Sequence, residues 1–532
     1  MKKLVTIILA LAMILAMSIP ALAAEDTSVT INDAEGRTFV GYKLLNLTTS
    51  LKEGEHHPAD CDGNHDDDCY NYAYTVNEKY RAILQKETWD NGRNELWVNG
   101  KPAAATGVSD ALILEYLNGQ TSNEGTIRLV ANRLYRAIKA AGLTPDDEDL
   151  SAIDQGYWFF ADISDLSGEN DTNSLVIVDT KGQDAIVISP KTALLPTVEK
   201  KVKDIDDSED DNIKDNPWQD TADHDIGDSV PFKLTATLPS TAMNYNSYKL
   251  VFHDTLAAGF TLKADSFRVL MYETKHKADV DTDLNDQQKD VTDSFTVKTE
   301  DLADDCTFEV SCEDVFAIEG VTKDTAFVVY YEATLNESAV FGGDGNTNEA
   351  FLEFSNDPYG TSTGKTEADK VAVYTYKLVI NKTDSHQHPL AGAGFTLYKK
   401  DKSGEYKLLG TEQKGEGMTT FTWSGLDDGD YKLEESTVPA GYNKMADVYF
   451  SISAEHAENA GLTQLTSLDA GLMGEGVVAT GTITKGIENH TGSALPETGA
   501  QGTFLLIFGG SVLVILATVF MITRKKMSIY ED

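Results

Sequence analysis

The sequence predicts a mainly β chain of tandem β-sandwich domains, the first of them elaborated with helices, between an apolar N-terminal leader and an apolar C-terminal span. Three observations carry this expectation. Residues 195–372 alternate through Val230, Phe232, Leu234, Ala236 and Leu238, and again through Tyr248, Leu250 and Phe252, the period of two shown by strands that set one face on a core. Residues 374–490 hold short alternating runs broken by Gly and Asp turns, as stacked sheets require. Residues 25–190 mix such runs with two stretches, Asn77 to Asp90 and Gly125 to Gly142, where apolar residues such as Ile127, Val130, Leu134 and Ile138 recur at helical spacing.

Composition narrows the function. The 532 residues carry 86 Asp and Glu against 44 Lys and Arg, a net charge of −42, which excludes nucleic acid as a main partner because polyanion binding needs clustered cations. A hydrophobic content of 41% with 22 Tyr and 20 Phe is enough for packed cores and excludes wholesale disorder. Four Cys exclude a disulfide-stapled scaffold, so the stability must come from another source. No Gly-x-Ser-x-Gly elbow, phosphate loop or His-Glu-x-x-His helix is present, so no enzyme acting on an external substrate is expected, and no cofactor or metal.

Both ends read as processing signals. Residues 1–24 join Lys2 and Lys3 to an apolar run from Leu4 to Met17 and to Pro20-Ala21-Leu22-Ala23, the pattern of a secretory signal peptide cut near Ala23. Residues 491–532 contain Leu495-Pro496-Glu497-Thr498-Gly499, then an uncharged run of 19 residues from Phe504 to Ile522, then Arg524, Lys525 and Lys526. That run is long enough to span a bilayer with its basic flank inside. In this order the three parts resemble the sorting signal of Gram-positive cell-wall proteins. The resemblance implies a sortase whose Cys thiolate attacks the Thr498 carbonyl, releases Gly499 onward and passes the acyl group to an amine. The mature chain would then run from about Ala24 to Thr498.

The third block contains Leu378-Val379-Ile380-Asn381-Lys382, Pro389 to Phe395, and Tyr431 to Tyr442 around Glu434 and Glu435. These segments resemble the collagen-adhesin B-type (SpaA-type) module of surface pilins, with its glutamate box. In that family a strand lysine bonds covalently to an asparagine on the last strand, helped by the box glutamate. The resemblance assigns these roles to Lys382, Asn489 and Glu435. Alternation independently turns Leu378, Ile380 and Lys382 to one face and Glu434 to solvent. A buried amine loses its charge and becomes a nucleophile, and a buried carboxyl stays protonated and polarises an amide carbonyl. An ordinary ion pair of Lys382 with Glu435 is the competing reading.

The second block resembles the isopeptide-forming middle domain of fimbrial proteins. Val198, Lys200 and Val202 share a face, Tyr248, Leu250, Phe252 and Asp254 share another, and Asn348, Ala350, Leu352 and Phe354 repeat the pattern on a late strand. The resemblance implies a Lys200–Asn348 bond with Asp254 as the catalytic acid; Lys201 and Asn356 are the competing lysine and acceptor. Bonds of this kind would tie a first strand to a last one. The first block repeats part of the pattern, with Phe39-Val40-Gly41-Tyr42-Lys43 matching Phe395-Thr396-Leu397-Tyr398-Lys399. Its first strand, Ser28 to Asn32, has no lysine, and Ala161 falls at the box position, so no crosslink is expected there.

Ala185-Ile186-Val187-Ile188-Ser189-Pro190-Lys191 resembles the pilin motif, whose lysine accepts the sorting threonine of the next subunit; Ser189 replaces the usual tyrosine and Gly182 a common tryptophan. Lys191 is the implied polymerising lysine. His56, His57, Asp60, Cys61, Asp62, His65 and Cys69 crowd one loop that reads either as a zinc site or, outside the cell, as a Cys61–Cys69 disulfide, with Cys306 and Cys312 as a second local pair. Asp279, Asp281, Asp283 and Asn285 have the spacing of a calcium loop, but Leu284 replaces its glycine and Asp290 its glutamate, so they read as a solvated acidic loop. Asp204 to Asp215 reads as an acidic surface loop too. Together these residues imply a backbone subunit of a cell-surface pilus, secreted, sortase-assembled and anchored to peptidoglycan, with other pilin subunits as partners. The alternative is a monomeric wall-anchored adhesin for a host or bacterial surface ligand. A secreted hydrolase is the third reading.

Overall fold

A computed structural model of the chain describes residues 26–32, 37–51, 70–92, 104–120, 126–188, 195–205, 218–280, 288–459 and 462–492. The leader, the 56–69 loop, Lys191, Asp281, Asp283, Leu284, Asn285 and everything from residue 493 onward, including the Leu495–Gly499 motif, lie outside the described residues. Among the described residues no helix is long and apolar enough to cross a membrane.

The elements run in three groups. The first holds β1 (Asp26–Ile31), β2 (Phe39–Leu51), β3 (Tyr70–Val76), α1 (Arg81–Asn91), α2 (Asp110–Asn118), α3 (Thr126–Ala140), β4 (Ile153–Asp154), β5 (Gly156–Asp162), β6 (Leu175–Asp179) and β7 (Ala185–Ile188). Its four-stranded sheet runs β3-β2-β5-β6 and its small sheet β4-β1-β7. The predicted helices form as α1 and α3. One face of the larger sheet packs Val40, Tyr42 and Phe159 against Leu84, Ile113, Leu134 and Ile138 of the helices. The other packs Trp158 and Phe160 against Val29 and Ile188 of the small sheet.

The second group holds β8 (Thr197–Lys203), β9 (Trp218–Gln219), β10 (Thr221–Asp223), β11 (Ser229–Thr237), β12 (Leu250–Leu256), β13 (Phe260–Leu262), β14 (Arg268–Tyr272), α4 (Lys275–Val280), β15 (Lys289–Asp290), β16 (Thr296–Lys298), β17 (Phe308–Cys312), β18 (Ala326–Leu335), β19 (Asn346–Ser355), β20 (Thr363–Lys365) and β21 (Asp369–Tyr374). They make two sheets, β10-β21-β19-β12-β17-β16 with β20 on β19, and β15-β14-β18-β11-β8-β9 with β13 on β18. The alternating residues of β11 and β12 meet between them as one core. This block is not strand throughout: Ala278 of α4 packs against Leu270, Tyr272, Ala326 and Val328 on the outer side of β14 and β18.

The third group holds β22 (Tyr376–Asp384), β23 (Gly394–Lys400), β24 (Tyr406–Lys414), β25 (Thr420–Leu426), β26 (Gly429–Thr437), β27 (Val448–Asn459), β28 (Leu462–Asp469) and β29 (Thr482–Asn489). A three-stranded sheet, β25-β22-β29, faces a five-stranded one, β24-β23-β26-β27-β28. The core between them includes Leu378, Ile380, Phe395, Phe421, Leu433 and Ile483.

Only Thr375, itself buried, separates β21 from β22. The joint there is polar. Lys399 Nζ donates to Asp225 at 2.6 Å and the Asp427 amide donates to the same carboxylate at 2.8 Å. The Tyr376 hydroxyl bonds Asp223, which His456 Nε2 approaches at 3.4 Å. Gly425 at φ +78° admits Ile226, where a Cβ would come within 2.6 Å of that side chain. Asp204 belongs to this joint and not to a solvated loop: it accepts from the Asp223 amide at 3.2 Å, and burial beside Asp223 lifts its carboxyl to about 6.

A carboxyl raised in the folded state is penalised when ionised, so its contribution improves as pH falls through about 6 toward its unfolded value. Carboxylate partners also raise His224 and His456 against the opposing effect of burial, and the stability these gain is full at low pH and lost as pH rises through the raised values. Both signs agree. The thermal midpoint should therefore rise between pH 8 and pH 5.5, and Asp204→Asn should flatten part of that slope in calorimetry.

Candidate functional site

Alternation on three strands of the middle domain converges on one buried point. Lys200 of β8, Asp254 of β12 and Asn348 of β19 are all fully buried. Lys200 Nζ bonds Asp254 and donates to the Tyr331 hydroxyl at 3.0 Å. That hydroxyl donates to Asp254 at 2.8 Å, and Asn348 Nδ2 donates to it at 2.6 Å. Asp254 Oδ1 and Asn348 Oδ1 have no hydrogen-bond partner among the described residues. Burial drives the Lys200 ammonium down and the Asp254 carboxyl up, each against the pull of the other's charge, so the neutral forms are favoured at neutral pH relative to water.

Tyr331, absent from the sequence reading, is the hub of this set. Its signal was the alternation of Phe327, Val329, Tyr331, Ala333 and Leu335 on β18, all within the core. The competing residues lie elsewhere. Lys201 faces outward to Asp220 at 2.5 Å. Asn356 is held between the first and second domains, where its Nδ2 donates to Leu166 O at 2.6 Å and its Oδ1 accepts from Ser362 at 2.7 Å. β19 is followed by β20 and β21, so Lys200 and Asn348 stand on the first strand and on a late strand of the two facing sheets, not on the first and last.

In the third domain β22 and β29 pair in parallel, with Lys382 opposite Ile487 and Asp384 opposite Asn489. Lys382, Glu435 and Asn489 are buried. Glu435 accepts from Asn489 Nδ2 at 2.7 Å and from the Met445 amide at 2.8 Å. Lys382 Nζ donates to the main-chain carbonyls of Thr383 at 2.9 Å and Ile487 at 3.1 Å, and burial lowers its pKa. Asn489 Oδ1 lacks a partner among the described residues. Glu434, on the opposite face, pairs with Lys444 at 3.0 Å and is half-buried rather than free in solvent.

The first domain corrects one assignment. β23 pairs Phe395 with Glu435, whereas β2 pairs Phe39 with Asp162 and Val40 with Ala161. The residue in register with the glutamate is thus Asp162, one position after Ala161. It is fully buried and bonds Arg37. An Arg guanidinium is always charged and is no amine nucleophile, and β1 supplies no lysine.

The cysteine expectation also fails in part. Cys306 and Cys312 are free thiols. The extended strand β17 between them holds their Cα atoms roughly 15–20 Å apart, beyond the roughly 7 Å that a disulfide spans. Cys61 and Cys69 lie outside the described residues. Of the calcium-like positions, Asp279 pairs with Lys275 at 2.9 Å and Asp290 with Arg268 at 3.0 Å. Gly182 turns at φ +67° between β6 and β7, a conformation that favours glycine over a bulky residue. Lys191 and Ser189 lie beyond the described end of β7.

Comparison with known proteins bears on the third domain and the C-terminus. Residues 376–465 match the SpaA prealbumin-like fold domain, and residues 487–528 match the LPXTG cell wall anchor motif. The trypsin-resistant surface T6 protein of Streptococcus pyogenes serotype M6 is 25% identical over 244 residues, 42% of this chain and 41% of that protein. The match thus spans less than half of that relative. Among solved structures, the T6 backbone pilin of serotype M6 S. pyogenes aligns over 90% of this chain and 100% of its own, with 17% identity and a TM-score of 0.47. The full-length major pilin SpaD of Corynebacterium diphtheriae aligns over 90% and 99%, with 15% identity and a TM-score of 0.41. The chain is thus a mainly β, multi-domain protein that carries a SpaA-type prealbumin-like domain and the anchor motif of a Gram-positive cell-wall protein, and part of it is similar to the streptococcal surface T6 protein.

Proposed function

We propose that this chain is the repeating backbone subunit of a covalent cell-surface pilus, with its second and third domains each locked by a lysine–asparagine bond. The observation that carries the internal bonds is the Lys200, Asp254, Tyr331 and Asn348 set, which brings an amine, an acid and an amide together at one fully buried point.

In the proposed step, neutral Lys200 Nζ attacks Asn348 Cγ. Protonated Asp254 polarises Asn348 Oδ1, takes a proton from the attacking amine and returns one to the leaving nitrogen. The Cγ–Nδ2 bond breaks, the Cγ–Nζ bond forms and ammonia departs, with Asp254 regenerated. The two partnerless oxygens, on Asp254 and Asn348, are the atoms this hydrogen bond would join. Tyr331 orients both. In the third domain Glu435 plays the acid toward Asn489, whose amide turns over to present Oδ1 while Lys382 swings from the Ile487 carbonyl. Between subunits, a sortase would join Thr498 to Lys191 of the next chain, and the last subunit to peptidoglycan.

The intact mass of the secreted chain should be two ammonia molecules short. Asp254→Ala and Glu435→Ala should each restore one and lower the thermal midpoint of the domain concerned; an unshifted wild-type mass would overturn the reading. The T6 relative is described as trypsin-resistant, and the same resistance is expected here, lost in the double variant. On cells, Lys191→Ala should collapse high-mass surface ladders to monomer. Ladders that survive it would refute polymerisation through this lysine, whereas wild-type cells that show only monomer would favour a monomeric adhesin.

A further inference from the structure

We propose that the outer face of the middle domain carries a divalent-metal site fitted to zinc, built from His253, Asp304, Cys306 and Glu309. One ligand atom from each of these four residues lies within 4.8 Å of every other. His253 Nδ1 is 3.0 Å from Asp304 Oδ2, 3.8 Å from Glu309 Oε1 and 3.8 Å from Cys306 Sγ. Zinc bonds of about 2.0–2.3 Å in a tetrahedron put neighbouring ligand atoms roughly 3.3–3.8 Å apart. The His-centred distances of 3.0, 3.8 and 3.8 Å lie close to that range. One imidazole, one thiol and two carboxylates match the mixed N, S and O donor set of zinc better than the all-oxygen set of calcium or magnesium.

The fold builds this arrangement deliberately on three segments. His253 follows Phe252 on β12 and so points away from the core that receives Asp254. Its ring stacks on Phe351 of β19 at 4.6 Å with planes 5° apart, which fixes the direction of Nδ1. Glu309 stands directly opposite on β17. Asp304 and Cys306 come from the loop before β17, whose end is pinned where the Thr307 amide donates to Asp254 O at 2.6 Å. Behind the imidazole, Nε2 lies 3.5 Å from Glu353, itself bonded to Lys249 at 2.9 Å. A carboxylate drawn onto this second ring nitrogen when a metal binds would hold the tautomer that turns the Nδ1 lone pair toward the ion.

The alternative is that His253 is only a protonated counter-ion to three carboxylates. Cys306 argues for more. Its Sγ stands 3.8 Å from His253 Nδ1 within the same cluster, and a thiol is a soft zinc ligand that an ordinary imidazole–carboxylate ion pair does not need. Access remains: the His253 side chain is 6% exposed, but those of Asp304 and Glu309 are 29% and 16% exposed. A bound metal would tie the loop to β12 and β17 on the reverse side of the strand that carries Asp254, independently of any lysine–asparagine bond.

The test uses the full-length chain carrying Cys61→Ser and Cys69→Ser, which silences the other thiol-bearing loop. Titration with cobalt chloride should give a thiolate-to-cobalt charge-transfer band and strong tetrahedral visible bands that saturate at one equivalent and are displaced by zinc chloride. Cys306→Ser should abolish the charge-transfer band and weaken zinc binding roughly tenfold or more, while Cys312→Ser leaves both intact. Zinc should raise the thermal midpoint of the parent but not of Cys306→Ser. No thiolate band in the parent, or a band that persists in Cys306→Ser, would overturn the proposal. Cys306→Ser is close to isosteric; should it fail to fold, His253→Gln gives the same readings.

Discussion

The middle domain is organised around an amine that water cannot reach. Lys200 is fully buried, with its Nζ 5.6 Å from the Phe232 ring and 5.5 Å from the Tyr331 ring. An isolated ammonium in such surroundings is prohibitively costly, and a pair of charges gains little unless every hydrogen bond is met. The surroundings therefore have to supply Asp254 and Tyr331, and with them the sheet pairing that brings β12 and β18 to β8. Replacing one partner would leave a buried polar group unmatched, commonly a loss of about 3–5 kcal/mol. A covalent amide would remove the charge problem altogether, because its product is neutral. That is a physical reason for such a point to evolve toward reaction rather than toward an ion pair.

The two proposed bonds constrain their domains differently. A link between Lys200 and Asn348 crosses from one sheet to the other and closes off everything between those positions from extension. The stretch from β19 through β21 stays outside it, held by the antiparallel ladder from Asn346–Val373 to Ala350–Asp369. A link between Lys382 and Asn489 lies within one sheet, between neighbouring parallel strands that open and close the domain. Tension on the ends would there pass directly through the bond. The joints complete the path. The first domain meets the second through Asn356, Tyr359 and Arg136, and the second continues into the third with one buried residue between strands.

The net charge of −42 and the few cysteines acquire a structural setting. Many acidic groups are not on a featureless surface: Asp204, Asp223, Asp225 and Asp427 gather at the second joint, balanced by Lys399, His224 and His456. Burial beside Asp223 raises the Asp204 carboxyl, and carboxylate partners raise the two imidazoles against their burial, so carboxyl and imidazole groups shift the same way. The two described cysteines do not crosslink. One is a core residue at the end of β17, and the other sits among His253 and carboxylates.

Much of this was readable from local pattern. A period of two is a property of each strand alone, so the inward directions of Lys200, Asp254, Asn348, Lys382 and Glu435 follow from their apolar neighbours without knowledge of the sheet. The helices of the first domain, set by a 3.6-residue period, were legible for the same reason, as was the C-terminal anchor motif, which is a linear signal. What lay beyond the sequence depends on pairing between distant strands. Only the register of β2 with β5 puts Asp162, not Ala161, opposite Phe39. Only the packing of β18 between β11 and β14 brings Tyr331 to Asp254, and only the course of the loop before β17 sets Cys306 beside His253. Sequence by itself determined which faces point inward. Tertiary structure decided which residues meet there, because register and sheet stacking are fixed by contacts between segments far apart in the chain.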